Sequence, residues 1–163
     1  MLAGAGAMLF LLLSTLSFLY GAPFVMTDRK AVDAALKMAG VKKGDVFYDL
    51  GSGDGRVVFA AAALGAKATG VEINPTLWMW SACRSVLGKS RANFILASFF
   101  DVNLRDADVV FVYTWPKTNE KLQAKLEREL KKGARIISHR FTFPGWKPVA
   151  TDDGQKLFLY ITG

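Results

Sequence analysis

A glycine-rich loop that also carries acidic residues has the most specific chemistry in this sequence. The segment 49–56 reads DLGSGDGR and directly follows the apolar stretch VFY. Its glycines allow the backbone to turn sharply and to approach a ligand closely. The dinucleotide fingerprint G-x-G-x-x-G does not fit, because Arg56 stands where its last glycine would be. Asp49 and Asp54 would repel a pyrophosphate but not a sulfonium, so the loop favours S-adenosylmethionine as its ligand.

A second carboxylate stands at the end of the next predicted strand, KATGVEI. Glu72 follows Asp49 by about 20 residues, the separation at which nucleotide-binding folds place the acid that holds the ribose. A carboxylate suits that role because it accepts two hydrogen bonds at once. Two alternatives stay open: Glu72 caps the next helix, or the loop belongs to another kind of nucleotide-binding fold. The cofactor-binding candidates on these two strand ends are Asp49, Gly51, Ser52, Gly53, Glu72 and Ile73.

Polar and aromatic residues follow the third and fourth predicted strands. Ser98 and Phe99 end the third strand, where an adenine ring would pack on Phe99 and hydrogen bond to Ser98. The fourth strand runs into the segment 113–116, YTWP, whose rings could shape a channel for an amine and stabilise its cation. Plain packing is an equally open interpretation for each of these aromatics. The candidate catalytic groups are Tyr113, Asp101 and His139.

Strands alternate with helices from residue 31 onward, which predicts an α/β, Rossmann-like fold with a doubly wound, mostly parallel sheet. The predicted helices are 31–39, 56–65, 75–88 and 119–133, and the predicted strands are 46–50, 67–73, 92–98, 107–114 and 134–141. Segments 147–151 and 156–162 predict a C-terminal antiparallel hairpin, with one reversed strand at the sheet edge. Thr27 is predicted to cap the first helix. The pattern leaves open whether Trp78 and Trp80 contact membrane or core.

The N-terminal segment is apolar, with no charged side chain between Met1 and Thr27. A helix of about 20 such residues spans the roughly 30 Å hydrocarbon core of a bilayer. Residues 1–24 are therefore predicted to form a transmembrane anchor, and residues 25–163 a separate domain. Arg29 and Lys30 follow the anchor, which predicts that the domain lies on the cytoplasmic or equivalent side. A cleaved signal peptide and a buried helix are the alternatives, although a signal peptide expects basic residues before the apolar run.

Charge and cysteine content exclude some classes of function. The net charge is +7, but the basic residues are scattered, which does not favour a nucleic-acid groove. Proximity to an anionic membrane surface explains the excess equally well. Cys83 is the only cysteine, so no intrachain disulfide can form. One histidine and one cysteine cannot build a zinc site of the usual ligands, and no metal site is predicted.

Longer motifs extend over nearly the whole predicted domain: PFVMT, VFYDLGSGDGRVV, GVEINP, LKKGARIISHRF and PGWKP. In these motifs the chain resembles the small seven-strand protein-lysine methyltransferases of archaea and bacteria. It also resembles the membrane-anchored mitochondrial lysine methyltransferases of the adenine nucleotide translocase and the ATP synthase c-subunit. The resemblance implies a class I S-adenosylmethionine-dependent methyltransferase.

The same resemblance implies roles for single residues. Asp49, Gly51 and Gly53 would line the methionine part of the cofactor. Glu72 would bind the ribose, and Phe99 or its neighbours would flank the adenine. The PFVMT motif, which ends at Thr27, folds over the cofactor in this family. The segment 113–116 lies where relatives vary, so the residues that bind the acceptor stay open.

The leading hypothesis is a protein-lysine N-methyltransferase that acts at a membrane surface on a protein substrate, which could itself be a membrane protein. A small-molecule or lipid methyltransferase of the same fold is one alternative. A non-catalytic membrane adaptor is the other, and the intact Asp49 and Glu72 argue against it.

Overall fold

Seven strands form one mixed sheet in residues 25–163, the part of the chain that the structure, a computed structural model, describes. The helices are α1 (Arg29–Met38), α2 (Arg56–Ala63), α3 (Pro75–Leu87) and α4 (Pro116–Glu129). The strands are β1 (Val46–Leu50), β2 (Lys67–Glu72), β3 (Asn93–Leu96), β4 (Val109–Val112), β5 (Arg135–His139), β6 (Ala150–Asp152) and β7 (Leu157–Ile161). The predicted Rossmann-like architecture is confirmed.

The strand order is β3-β2-β1-β4-β5-β7-β6. Strands β1 to β5 pair in parallel, and β7 runs antiparallel to both β5 and β6. The direction of winding changes between β1 and β4. The loops that leave these two strands therefore diverge and open a crevice at the carboxyl edge of the sheet, where such folds bind ligands.

Apolar side chains fill a layer on each face of the sheet. On one face Leu36 of α1 and Val58 of α2 pack in a cluster that includes Phe111 of β4. On the other face Leu122 and Leu126 of α4 pack in a second cluster with the alternate strand residues. All four residues of β4 are buried, as expected for a strand covered by helices on both sides.

The predicted C-terminal antiparallel hairpin is present at one end of the sheet, but its strand order differs from the prediction. The sequence predicted a reversed strand at the edge, but the reversed strand β7 lies between β5 and β6. Leu157 and Leu159 of β7 pack in the cluster on one face and Tyr160 in the cluster on the other, so the strand is covered on both faces. Strand β6 has only three residues and no buried side chain, so it suits the exposed edge.

Two helix boundaries also differ from the prediction. Helix α4 was predicted over 119–133 but begins at Pro116, since proline is well tolerated in the first turn of a helix. It ends at Glu129, because Leu130 has an extended backbone. Asp28, rather than Thr27, is the residue before α1, and its side chain makes no capping hydrogen bond. The prediction that Thr27 caps α1 is wrong, since Thr27 is buried beside the crevice.

The predicted transmembrane anchor at residues 1–24 lies outside the residues that the structure describes. From Val25 to Gly163, no helix combines the length and the apolar character needed to cross a bilayer. The boundary between anchor and domain stays a prediction.

Gly70 of β2 gives a test of how tightly the sheet supports the loop after β1. A Cβ added at Gly70 would stand 2.6 Å from Ser52 Oγ and 2.8 Å from Phe94 Cδ1. We expect Gly70→Ala to lower the free energy of unfolding by about 1–3 kcal/mol, because overpacking a filled site costs that much. Gly154→Ala, whose Cβ would meet Asp152 at an ordinary 3.4 Å, is the control in urea unfolding. Equal stability of the two variants would contradict the close packing of Ser52 on β2.

Candidate functional site

A cavity of about 730 Å³ opens at the carboxyl ends of β1, β2 and β4, at the change of winding direction. This volume falls within the roughly 300–1,000 Å³ typical of small-molecule sites. Predicted residues that line it are Thr27, Asp49, Gly51, Ser52, Glu72, Ile73, Ser98, Phe99 and Tyr113. The structure therefore brings together residues from the loop before α1 and from the ends of four strands.

The loop after β1 is held by backbone hydrogen bonds to the sheet. The N–H groups of Gly51 and Ser52 both donate to the carbonyl of Val71, at 2.8 and 3.0 Å. Gly51 and Gly53 have φ angles of +92° and +54°, which residues other than glycine rarely adopt. No atom lies within 4 Å of the place where a Cβ on Gly51 would stand. The sharp turn therefore exposes bare backbone to the cavity.

Glu72 fastens this loop to the start of α3. Its Oε2 accepts from the Gly53 N–H and its Oε1 from the Asn74 N–H, each at 2.8 Å. The Ser81 hydroxyl donates to the Gly53 carbonyl at 3.0 Å. Asn74 caps α3 through its own side chain, so the alternative in which Glu72 is the cap is wrong. Gly53 does not line the cavity. Its N–H donates to Glu72, so it helps to hold that carboxylate in position.

Two buried carboxyl groups, Asp49 and Glu72, lie at the bottom of the cavity. Burial raises the pKa of Asp49 well above its usual range, and the nearby charges of Glu72 and Asp54 raise it further. Burial also raises the pKa of Glu72, although three backbone N–H groups oppose that shift. Among residues 25–163, no basic side chain forms a salt bridge with Asp49 or Glu72. A cationic ligand would supply the missing positive charge.

The residues present fit the predicted S-adenosylmethionine. The ligand carries a sulfonium and an ammonium, whose positive charges match the carboxyl groups of Asp49 and Glu72 in the cavity. The buried hydroxyl of Ser52 has no hydrogen-bond partner within residues 25–163, although most buried polar groups have one. Ser52 lines the cavity, but its Oγ is enclosed against Gly70 of β2 and does not face the ligand space.

Arg56 connects the chain before α1 to the glycine loop. In the sequence this residue was noted only because it does not fit the dinucleotide fingerprint. Arg56 forms a salt bridge with Asp54 at 2.6 Å. Its Nη1 donates to the Thr27 carbonyl at 2.8 Å, and its Nη2 contacts Met26 Sδ at 2.9 Å. Val25, Met26 and Thr27 thereby form one wall of the cavity. The upstream PFVMT motif was the only sequence signal for this contact.

Aromatic rings surround the rest of the cavity. Phe99 and Phe100 lie with ring centroids 4.8 Å apart, and Trp115 stacks on Phe141 at 5.9 Å with 23° between the ring planes. Tyr113 lines the same cavity. Phe100 and Phe141 were not among the predicted site residues, because each reads as an ordinary core phenylalanine in the sequence.

Two of the three candidate catalytic groups lie outside this cavity. Asp101 borders a separate shallow depression with Arg105 and Arg128. His139 is buried behind the wall, with its ring centroid 4.4 Å from that of Tyr113 and with Nδ1 unpaired within residues 25–163. Burial, aided by the charge of Arg140, lowers the pKa of His139 to about 4, so its ring is neutral near pH 7. Tyr113 is the one candidate that lines the cavity.

A buried amide connects the two strand ends that carry these aromatics. Asn119 Oδ1 accepts from the Thr114 hydroxyl at 2.5 Å, and its Nδ2 donates to the carbonyls of Phe141 and Thr142, each at 3.3 Å. The Ser138 hydroxyl donates to the same Phe141 carbonyl. Asn119 was not among the predicted residues, because an asparagine near the start of a helix is usually exposed.

Asn119→Leu is expected to lower the free energy of unfolding by about 1–3 kcal/mol, because it leaves buried hydroxyl and carbonyl groups without partners. Asn119→Asp keeps the acceptor for Thr114 but sets a buried carboxyl oxygen against the carbonyls of Phe141 and Thr142, so its loss should be at least as large. Urea unfolding measures both. Asn103→Asp, at an exposed asparagine that accepts from the Arg105 backbone N–H, is the control and should behave as the wild type. An Asn119→Leu protein as stable as that control would contradict the network.

Comparisons with known proteins give this geometry a context. A family model described as the ANTKMT methyltransferase domain matches residues 49–150. A protein-lysine N-methyltransferase of Saccharolobus islandicus (strain REY15A) is 36% identical over 163 residues, which cover 91% of this chain and 98% of the relative. The lysine N-methyltransferase of the ATP synthase c-subunit from Homo sapiens is 38% identical over 77% of this chain. The chain spans only 54% of that human relative's length.

A solved structure is similar in both fold and sequence. It is described as an RNA methyltransferase from Salinibacter ruber in complex with S-adenosyl-L-homocysteine. It has a TM-score of 0.81 and 34% sequence identity, and the match covers 84% of this chain and 93% of that one.

Proposed function

We propose that this protein methylates a lysine of a protein displayed at a membrane surface. The chain belongs to the family of ANTKMT methyltransferase domains and is an S-adenosylmethionine-dependent methyltransferase. The observation that carries this proposal is a pair of buried carboxyl groups, Asp49 and Glu72, which form no salt bridge within residues 25–163 and lie in an aromatic-walled cavity. The acids suit the cofactor, and the aromatic wall suits an amine.

The cofactor supplies a methyl group already activated by a sulfonium, so the protein has mainly to bind, orient and exclude water. Asp49 would hold the positively charged methionine end, with the bare backbone of the glycine loop at Gly51 and Ser52 beside it. Glu72 would accept from the ribose hydroxyls with the lone pairs that its backbone partners leave free. Phe99 would pack on the adenine, with Ser98 and Ile73 on the same lining. Thr27 closes the wall through the carbonyl contact of Arg56.

A lysine must lose its proton before its amine can accept a methyl group. The cavity wall includes Lys117, Lys121 and Arg140, whose positive charges lower the pKa of an incoming amine. Removal from water along Tyr113 and Trp115 lowers that pKa further. Since His139 and Asp101 lie elsewhere, the proton leaves to solvent or by way of Tyr113, which is the one predicted candidate on the wall.

The membrane part of the proposal rests on the sequence of residues 1–24. That segment is uncharged and long enough to span a bilayer, with the catalytic domain on the cytoplasmic or equivalent side. Val25 follows it directly and lines the cavity. An anchor there would hold the cavity close to the bilayer and limit the acceptors to lysines within a short reach.

The test compares membrane proteins from cells with and without the gene by lysine-methyl mass spectrometry. We expect methylation of one or a few lysines to disappear with the gene. The wild-type gene should restore it, and a gene that carries Asp49→Asn should not. Methyl-lysine patterns that are identical in all four strains would contradict the lysine acceptor. Differences confined to proteins of the soluble fraction would contradict the membrane placement.

RNA is the second candidate acceptor, because the Salinibacter ruber protein is described as an RNA methyltransferase and is 34% identical to this chain. The net charge of +7 is compatible with an anionic substrate. Small molecules and lipids are further alternatives. Recovery of methyl label in RNA or in the lipid extract, rather than in protein, would select one of them.

A further inference from the structure

Helix α3 has its polar and apolar faces reversed. Its two buried side chains are serines, Ser81 and Ser85. Its exposed side chains include Met79, Trp80, Val86 and Leu87, with exposed fractions of 55, 59, 78 and 84%. A helix on the surface of a soluble domain normally turns its apolar stripe toward the core. The outward apolar face of α3, formed by Met79, Trp80, Cys83, Val86 and Leu87, therefore requires an explanation.

The inward serines hold α3 in this orientation. The Ser81 hydroxyl donates to the Gly53 carbonyl at 3.0 Å, and the Ser85 hydroxyl donates to the Ala92 carbonyl at 2.6 Å. The Trp78 indole N–H donates to the Phe94 carbonyl at 3.1 Å. Rotation of the helix to bury its apolar face would break all three bonds. The outward face is thus a fixed feature of the fold.

Basic residues border this face. Arg84 lies on α3, and Lys89 and Arg91 follow its C-terminal end, all three exposed. An exposed tryptophan among aliphatic side chains, with lysine and arginine beside them, is the pattern of helices that lie in the surface of an anionic membrane. In a second copy of the chain the same three cations would face each other across a two-fold axis and repel.

Three successive contacts connect the start of the described chain to α3. Met26 contacts Arg56 at 2.9 Å, Arg56 pairs with Asp54 at 2.6 Å, and Asp54 accepts through its carbonyl from Arg84 at 3.2 Å. The uncharged residues 1–24 precede this point in the sequence. A bilayer that holds those residues would therefore lie beside the α3 face. The first turn of α3 also lines the cavity, through Pro75 and Leu77.

We propose that the outward face of α3 rests on the surface of an anionic bilayer, with the cavity opening at the level of the lipid headgroups. This orientation rests on the proposed membrane placement and adds the surface that makes contact. It restricts acceptors to lysines that stand at the headgroup level, such as those in short loops of membrane proteins. Lysines in domains that extend far from the bilayer would be out of reach.

The chain's single cysteine provides the probe, because Cys83 is exposed on this face. The full chain is labelled there with a nitroxide and reconstituted in vesicles of phosphatidylcholine and phosphatidylglycerol. Electron paramagnetic resonance then compares relaxation by oxygen, which concentrates in the bilayer, with relaxation by a water-soluble nickel chelate. A matched control combines Cys83→Ser with Ala124→Cys, which moves the label to the exposed side of α4 in the opposite layer.

We expect oxygen to dominate at Cys83 and the nickel chelate to dominate at Ala124→Cys. Val86→Glu with Leu87→Glu should return the Cys83 label to water, and both changes are at exposed positions that the fold tolerates. Nickel-accessible label at Cys83 would overturn the proposal. Dipolar broadening between labels would overturn it in favour of a second copy, and a label shielded from both reagents would overturn it in favour of a protein cover. Carbonate extraction and methyl transfer by the same sample report the anchor and the enzyme separately.

Discussion

Asp49→Asn is expected to weaken binding of S-adenosylmethionine by roughly 10- to 100-fold, since a hydrogen bond to a charged group contributes about 1.5–3 kcal/mol. The same change is expected to raise the unfolding temperature of the cofactor-free protein. Asp49 is buried next to Glu72 and Asp54, and its raised pKa means that its charge is costly when no cation is bound. Asparagine has the same shape without the charge.

The pH dependence of this effect has a definite sign. The pKa of Asp49 rises on folding from an ordinary value of 3.8, so folding favours the protonated acid. The wild type therefore loses stability as the pH rises from that value through the raised pKa, and Asp49→Asn does not. The difference in stability between the two proteins should grow over that range. Cofactor affinity of the wild type should increase over the same range, because the ionised acid binds the cation.

Calorimetric titration with the cofactor and thermal unfolding at several pH values measure both effects. Asp153→Asn, at an exposed turn position, is the matched control and should leave affinity and stability unchanged. An Asp49→Asn protein that is less stable than the wild type, or that binds the cofactor equally well, would contradict the electrostatic account of the site.

Glu72→Ala is expected to have the opposite effect on stability. Both oxygens of Glu72 accept backbone N–H groups, at 2.8 Å each, in a buried position. Alanine leaves the donors of Gly53 and Asn74 unsatisfied, which lowers the free energy of unfolding by about 2–4 kcal/mol. Cofactor binding should fall below detection, because the change removes the proposed ribose contact and loosens the glycine loop together.

Urea unfolding and calorimetry of Glu72→Ala are compared with Glu120→Ala, an exposed position on α4. The two acids of one cavity thus carry opposite predictions, a gain in stability for Asp49→Asn and a loss for Glu72→Ala. A gain for both would mean that the backbone bonds of Glu72 contribute less than the burial of its charge.

Local patterns were sufficient to predict the order of helices and strands and the chemistry of the first two strand ends. The acid before the glycine loop and Glu72 are short-range signals, because each follows a strand whose apolar run is evident. Parallel strands meet at one edge of the sheet, so Asp49, Glu72, Phe99 and Tyr113 were expected together and do line one cavity. The family prediction from the longer motifs is confirmed by the match over residues 49–150.

Features that depend on tertiary contacts could not be predicted in the same way. The placement of β7 inside the sheet depends on burial of both its faces, which a short apolar run does not reveal. His139 ends a strand as a catalytic group would, yet it lies under Tyr113 behind the wall. The direction of the α3 faces was equally undecided, and the structure turns Trp78 inward and Trp80 outward.

The most direct test of the central claim is methyl transfer by the purified full chain in a membrane extract, with methyl-labelled S-adenosylmethionine. The label should appear in protein, on lysine side chains identified by mass spectrometry, and should be absent with Asp49→Asn. Label found in lipid, RNA or small molecules but not in protein, with the cofactor bound normally, would contradict the lysine acceptor. Absence of both transfer and cofactor binding would contradict the account of the site itself.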